Sequence, residues 1–110
     1  MFNLKSSLFL ALSFLQLSSV FAQAITKSAL FIGNSYVYTN DLPTQIKNIA
    51  TSMSDELITD NNTPGGYTFE LHSTNATTLS KIALGTWDYV VLQEQSQIPS
   101  FPIGQVETIC

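Results

Sequence analysis

After residue 24, the first hydrophobic pattern is the segment 27–32, whose apolar residues 29–32 run up to the tripeptide Gly33-Asn34-Ser35. A buried parallel strand has such a continuous run, because neighbouring elements cover both of its faces. Gly33 would permit a tight turn after the strand, and Asn34 would tolerate a left-handed or bridge conformation. Ligands bind at the carboxyl ends of strands in open α/β sheets. We therefore expect Ser35 to present its hydroxyl at that edge.

Two stretches have the three- and four-residue apolar spacing of helices. Residues 41–54 follow N-cap chemistry at Asn40-Asp41 and carry Pro43 in the first turn. Residues 75–84 predict a shorter helix with Gly85 as its stop. The side chains expected to face the core are Leu42, Ile46, Ile49, Ala50 and Met53 in the first helix, and Leu79, Ile82 and Ala83 in the second.

The segments around these helices are less regular. Residues 55–58 either extend the first helix or begin a second strand. Residues 59–66 (Thr-Asp-Asn-Asn-Thr-Pro-Gly-Gly) are rich in breakers and predict a loop. Residues 67–72 alternate and permit a short strand, with a helix beginning after the glycine pair as the alternative. Residues 87–92 (Trp-Asp-Tyr-Val-Val-Leu) predict a strand, and the tail from 96 to 110 leads towards a further helix.

This order of strands and helices predicts an α/β fold with a parallel sheet and right-handed crossovers. Two strands are secure from the pattern, whereas a doubly wound sheet usually has about five or six. We therefore interpret residues 25–110 as the N-terminal portion of a larger domain, incomplete in this chain.

Residues 1–24 resemble a secretory signal peptide. Lys5 precedes an apolar run over residues 8–17, and small residues suited to signal peptidase follow at Ala22 and Ala24. A membrane anchor is the alternative, but two polar residues interrupt the run, which is shorter than the ~20 residues that a span needs. The sequence predicts export, periplasmic or secreted, without a stable membrane span after cleavage.

Charge and residue usage exclude two classes of site. The chain has 4 lysines, no arginine and 8 acidic residues, a net charge of −4, so it cannot build the basic face that a nucleic-acid binder needs. One histidine and one cysteine offer no cluster of metal ligands, and we expect no metal and no cofactor. The odd cysteine of an exported protein, Cys110, predicts a partner elsewhere.

Three blocks of the sequence resemble the SGNH/GDSL hydrolase superfamily. Gly33-Asn34-Ser35 is similar to its nucleophile turn, and Gly66 is similar to the glycine that donates a backbone N–H to the oxyanion hole. Leu92-Gln93-Glu94-Gln95-Ser96 is similar to the Gln-Gly-Glu-Ser sequence of sialate and xylan acetylesterases. The chain is closer still to SGNH-like proteins with FIGNS and WDYVVLQEQS blocks. The resemblance implies a flavodoxin-like three-layer α/β/α fold.

The resemblance also implies a serine ester hydrolase acting on acetyl or acyl esters of carbohydrates or small molecules. Ser35 would be the nucleophile, and Gly66 and Gln93 would be oxyanion-hole donors, with Gln95 as the rival of Gln93. The base of the family lies in a C-terminal Asp-x-x-His block, which is missing from this fragment. We expect His72 to be a packing or surface residue. The 110 residues alone should therefore have little activity.

Two other classes stay open. A non-catalytic exported binding module on the same scaffold could contact carbohydrate through Tyr36, Tyr38, Tyr67 and Trp87. A nucleotide-binding flavodoxin-like domain is less favoured, because the segment after the first strand, GNSYVYTN, has one glycine where phosphate-binding loops have several. The sequence makes no prediction of the oligomeric state.

Overall fold

The computed structural model describes residues 22–109. The predicted signal peptide lies outside the described residues except for 22–24, which have no regular secondary structure, and Cys110 lies outside them as well. The elements, in chain order, are β1 (Thr26–Ile32), α1 (Ser35–Tyr38), α2 (Leu42–Ser52), β2 (Glu56–Asn62), α3 (Phe69–Ser73), α4 (Ala76–Ala83), β3 (Tyr89–Leu92), a 3-10 turn (Ile98–Ser100) and α5 (Ile103–Ile109).

The strands form one parallel sheet in the order β2-β1-β3. β1 pairs with β2 from Thr26↔Glu56 to Ile32↔Asn62, and with β3 from Ala29↔Tyr89 to Ile32↔Leu92. The predicted α/β class with a parallel sheet is thereby confirmed. Because the strands run in the same direction, β1 and β3 end side by side, and the segments that follow them start at the same edge of the sheet.

The core lies on the central strand. Ala29, Leu30, Phe31 and Ile32 are between 0% and 4% exposed, and Val37 of α1 is 2% exposed. Each large apolar side chain buried in this way contributes roughly 1.5–3 kcal/mol relative to an exposed one. The buried strand β1 therefore fixes the position from which the following turn starts.

The prediction of a loop over residues 59–66 is wrong in its first half, because β2 continues to Asn62. β2 is an edge strand, and its polar side chains have partners on α4. Asp60 Oδ1 lies 2.6 Å from Lys81 Nζ, and Asn62 Nδ2 donates to Thr78 Oγ1 at 2.7 Å. Those bonds, together with the seven-residue pairing to β1, outweigh the turn preference of the sequence Asp-Asn-Asn.

Residues 67–72 do not form a strand. The helical alternative is confirmed, since α3 begins at Phe69 with Thr68 as its N-cap. β3 covers only the second part of the predicted 87–92 strand. Trp87 instead donates its indole N–H to the Lys81 carbonyl at 2.8 Å.

The predicted core stripes of the helices are mostly wrong. Ile46 of α2 packs against the buried cluster, whereas Ile49 is 60% exposed and Met53, the C-cap of α2, is 69% exposed. Leu79 and Ile82 of α4 are 47% and 43% exposed. The reason is geometric: the described residues supply three strands, and only the central one has buried residues. None of the helices described within residues 22–109 is long and apolar enough to cross a bilayer.

Candidate functional site

The candidate site lies where β1 and β3 end. The ladder between these strands continues one step, with the Gln93 N–H donating to the Ile32 carbonyl at 2.9 Å. On the other side, the Gly33 N–H donates to the Asn62 carbonyl of β2 at 3.3 Å. The nucleophile-like turn therefore starts from a position fixed on both sides by the sheet.

Asn34 joins the three blocks that the sequence singled out. Its backbone N–H donates to Gln93 Oε1 at 3.0 Å, and its Nδ2 donates to the carbonyl of Tyr67, the residue after Gly66, at 2.9 Å. Its Oδ1 accepts from the Tyr36 N–H at 3.2 Å, and the residue is only 1% exposed. Asn34 thus connects the turn Gly33-Asn34-Ser35 (the Ser35 turn), the loop that contains Gly65 and Gly66 (the glycine loop) and the end of β3.

Asn34 has an extended backbone, with φ of −141° and ψ of −150°. The turn therefore does not use the left-handed or bridge geometry that asparagine would tolerate there. What the position requires is the side chain, because an amide can accept from one backbone group while donating to another.

Gly33 is required by close packing rather than by a left-handed backbone. A Cβ at Gly33 would lie 2.7 Å from Gln93 Oε1 and 2.8 Å from Val37 Cγ2. Glycine lets the Gln93 side chain lie against the turn and reach the Asn34 N–H.

Ser35 is the first residue of α1 and is half-buried. With Tyr36, Thr39 and Asn40 it lines a cavity of about 280 Å³. Within residues 22–109 its Oγ makes no hydrogen bond. The hydroxyl is therefore chemically available beside a solvent-accessible space, as a nucleophile or a ligand-binding hydroxyl must be.

Gly66 has a φ of +72°, a left-handed conformation that costs a residue with a Cβ roughly 1–2 kcal/mol. No heavy atom lies within 4 Å of where its Cβ would be, so the backbone here borders open space. A Cβ at Gly65 would lie 3.4 Å from the Tyr38 hydroxyl. The glycine loop therefore lies beside the end of α1, and a ligand could approach its backbone closely.

Gln93 and Gln95 have different surroundings. Gln93 Oε1 accepts from the Asn34 N–H and its Nε2 donates to the Glu94 carbonyl. Gln95 Oε1 instead accepts from the Gln97 N–H at 2.6 Å, within its own turn. Gln93 is thus the amide in contact with the nucleophile-like turn, and because a primary amide has two N–H groups, one donor of Nε2 remains for another acceptor.

Glu94 makes a contact at this site that the sequence did not predict. Its carboxylate oxygens accept from the Phe69 N–H at 3.1 and 3.2 Å, at the start of α3 just after the glycine loop. A carboxylate is favourable there because the first N–H groups of a helix have no intrahelical partner. The two residues are 25 positions apart, and nothing in the local pattern signals the contact.

His72 is buried, with 4% of its surface exposed, and packs as expected for a structural residue. Its Nε2 lies 2.8 Å from the Gly33 carbonyl and its Nδ1 lies 2.7 Å from Thr78 Oγ1. Its ring meets the Tyr67 ring edge-on, with 5.0 Å between the centroids. Both ring nitrogens are committed to partners other than Ser35.

The four aromatic residues singled out by the sequence fall into two groups. Tyr36 and Tyr38 are 67% and 52% exposed and belong to the helix that Ser35 begins. The Tyr67 hydroxyl accepts from Asn75 Nδ2 at 3.3 Å, and the Trp87 indole N–H is bonded to Lys81. Both tyrosines of α1 are exposed to solvent, and Tyr36 also lines the cavity beside Ser35.

The described residues contain no group of three histidine, cysteine, aspartate or glutamate side chains placed to hold a metal ion. Comparison with protein-family models, with curated proteins and with solved structures yields no match to this chain. The function therefore has to be argued from the site itself.

Proposed function

We propose that this protein is an exported serine ester hydrolase of the SGNH/GDSL type, with Ser35 as its nucleophile. The observation that carries the proposal is the junction at Asn34. Three blocks that resemble this superfamily in sequence are held together there by hydrogen bonds of 2.9–3.2 Å. The leader-like residues 1–24 support export.

In the proposed reaction, Ser35 Oγ attacks the ester carbonyl and loses its proton to a base. The tetrahedral oxyanion would accept from the N–H groups of Ser35 and Gly66 and from the remaining Nε2–H of Gln93. Collapse breaks the ester C–O bond, the alcohol leaves, and water then releases the acid from the acyl-serine. One oxyanion donor is typically worth about 10²–10³ in turnover.

The proposal assigns the base to an Asp-x-x-His block outside these 110 residues. His72 is a poor candidate, because its two nitrogens are bonded to Gly33 and Thr78, and a general base must come within hydrogen-bond reach of the hydroxyl. The favoured substrates are acetyl or short acyl esters of carbohydrates or small molecules. The exposed rings of Tyr36 and Tyr38 could stack on such a ligand.

The test is ester hydrolysis by the purified full-length protein. With p-nitrophenyl acetate as substrate, Ser35→Ala should lower kcat by at least about 10³-fold, because the nucleophile is lost. Ser80→Ala is the matched control, since the Ser80 hydroxyl is exposed and bonds within its own helix to the Thr77 carbonyl. A fluorophosphonate probe should label the peptide that contains Ser35. Hydrolysis that survives Ser35→Ala would contradict the proposal.

A non-catalytic binding module is the second candidate, and the exposure of Tyr36 and Tyr38 favours it. In that case the full-length protein would neither hydrolyse esters nor react with the fluorophosphonate. Isothermal titration calorimetry with an acetylated xylo-oligosaccharide would instead detect binding, and Tyr36→Ala would weaken it. Failure of both assays would remove both candidates.

A further inference from the structure

The peptide group between Gly33 and Asn34 is held from two sides by side chains. Its carbonyl oxygen lies 2.8 Å from His72 Nε2, and its N–H donates to Gln93 Oε1 at 3.0 Å. No cis peptide bond occurs within residues 22–109, so the C=O and N–H of this group point in opposite directions. Two side chains thus fix the orientation of the peptide that precedes Ser35.

On the His72 side of this peptide group, the hydrogen-bond partners of Asn62, Thr78 and His72 determine where the protons lie. The Thr78 N–H donates to Asn75 Oδ1 at 2.9 Å, so the neighbouring atom of Asn62, 3.1 Å from that oxygen, must be a donor. Asn62 Nδ2 also donates to Thr78 Oγ1 at 2.7 Å. The Thr78 hydroxyl, which already accepts from Asn62, retains its own proton to donate to His72 Nδ1 when that nitrogen is unprotonated.

The bond between His72 and Gly33 leads to the same assignment of the imidazole tautomer. A backbone carbonyl can only accept, so His72 Nε2 must carry the proton that bonds to the Gly33 oxygen. The donors therefore all point towards the turn, from Asn62 to Thr78, from Thr78 to His72 and from His72 to Gly33. Each link spans 2.7–2.8 Å. This series of hydrogen bonds connects β2, α4 and α3 to the residue that follows β1.

We propose that His72, held with a proton on Nε2 by the Gly33 carbonyl and contacted at Nδ1 by Thr78, is the positioning residue of the Ser35 turn. This inference rests on the proposed function for its effect on catalysis. His72 does not touch the reacting atoms. It holds the Gly33 carbonyl, Gln93 holds the other side of the same peptide, and Ser35 follows one residue later. A nucleophile displaced by about 1 Å can lose roughly 10²-fold in rate.

The spectroscopic test uses ¹⁵N-labelled full-length protein. Long-range imidazole spectra at neutral pH should show His72 protonated at Nε2 alone. Thr78→Val keeps the side-chain shape but removes the hydroxyl that bonds to His72 Nδ1. The Gly33 carbonyl still requires the proton on Nε2, but the ring loses one of its two anchors, so the His72 ring nitrogen and the Asn34 and Ser35 amide resonances should shift. Thr78→Ser should restore the wild-type resonances. Thr77→Val, at an exposed neighbouring position of α4, is the matched control.

The kinetic test compares the same variants. Thr78→Val should lower kcat by about 10-fold and His72→Phe by about 100-fold, with KM changed by less than about 2-fold, because alignment rather than substrate binding is lost. Thr78→Ser and the Thr77→Val control should keep the wild-type kcat. Titration of active sites with a fluorophosphonate gives kcat per competent site, so that a partly unfolded variant cannot imitate the effect.

Three results would overturn the inference. They are a wild-type His72 protonated at Nδ1, Ser35 amide resonances that do not respond to Thr78→Val, and a kcat per competent site that is unchanged in His72→Phe. Absence of Ser35-dependent hydrolysis in the wild type would instead count against the proposed function. The tautomer and the amide shifts would then still decide whether His72 holds the turn.

Discussion

Gly33→Ala is the substitution that tests the packing of the turn most directly. The added methyl group would lie 2.7 Å from Gln93 Oε1 and 2.8 Å from Val37 Cγ2, both well inside van der Waals contact. The Gln93 side chain is flexible and can move away, but it then gives up its bond to the Asn34 N–H. Val37 is 2% exposed within the core and has no room to withdraw.

The magnitude follows from three contributions. Overpacking against Val37 should cost about 1–3 kcal/mol, and leaving the Asn34 N–H without its acceptor about 1–3 kcal/mol. Alanine also restricts the unfolded chain, which returns roughly 0.4–1 kcal/mol. We therefore expect the free energy of unfolding to fall by about 1–5 kcal/mol in Gly33→Ala.

Urea denaturation followed by circular dichroism measures this change. Gly104→Ala is the matched control, since a Cβ there meets no heavy atom within 4 Å and the residue lies in α5. That substitution should be neutral or stabilising by up to about 1 kcal/mol. A Gly33→Ala protein within about 0.5 kcal/mol of wild type would refute the argument that the close approach of Gln93 requires glycine.

Two further predictions follow from the polar contacts. Asn34→Asp keeps the acceptor for the Tyr36 N–H but turns a carboxylate towards the Tyr67 carbonyl. In urea denaturation it should lower the free energy of unfolding by about 1–3 kcal/mol. The control Asn61→Asp, at an exposed position of β2, should change that free energy by less than about 0.5 kcal/mol. The hydrogen bond from Lys81 lowers the pKa of Asp60, so this pair should stabilise the fold above the ordinary pKa of about 3.9 and lose that effect as the pH falls through the lowered value. Lys81→Met should remove this part of the pH dependence of unfolding, and an unchanged acid limb would contradict the assignment.

The elements that the sequence predicted well are those whose signals are local. The strand predicted at 27–32 is observed as Thr26–Ile32, and the helix predicted at 41–54 as Leu42–Ser52. Its start could be located because Asp41 accepts from the Thr44 N–H within its own turn. Continuous apolar residues and N-caps carry their information within a few positions.

The failures involve partners far apart in the chain. Residues 59–62 have the composition of a loop, but Asp60 and Asn62 are satisfied by Lys81 and Thr78, which are 21 and 16 positions away. The prediction that Leu79 is buried was wrong, because helical spacing identifies the apolar face of a helix but does not show whether another layer covers that face. Such information belongs to the tertiary arrangement.

The candidate site shows the same division. Ser35, Gly66 and Gln93 were selected from short motifs, and the role of each in catalysis stays a prediction. The bonds that organise them were not predictable, because His72 reaches a carbonyl 39 positions away and Gln93 a backbone N–H 59 positions away. No spacing rule links residues at such separations, since each pairing depends on where the strands place the backbone.

Two kinds of contact could fix the orientation of the Ser35 turn: the hydrogen bonds of Asn34, Gln93 and His72, and the apolar packing around β3. β3 is exposed at all four of its residues, whereas every buried polar side-chain atom within the described residues has a hydrogen-bond partner. A buried polar network specifies one arrangement only when all its members are satisfied, because any orphaned group is costly. The turn before Ser35 meets that condition through Asn34, Gln93 and His72. Its orientation should therefore depend on these hydrogen bonds more than on the apolar packing around β3.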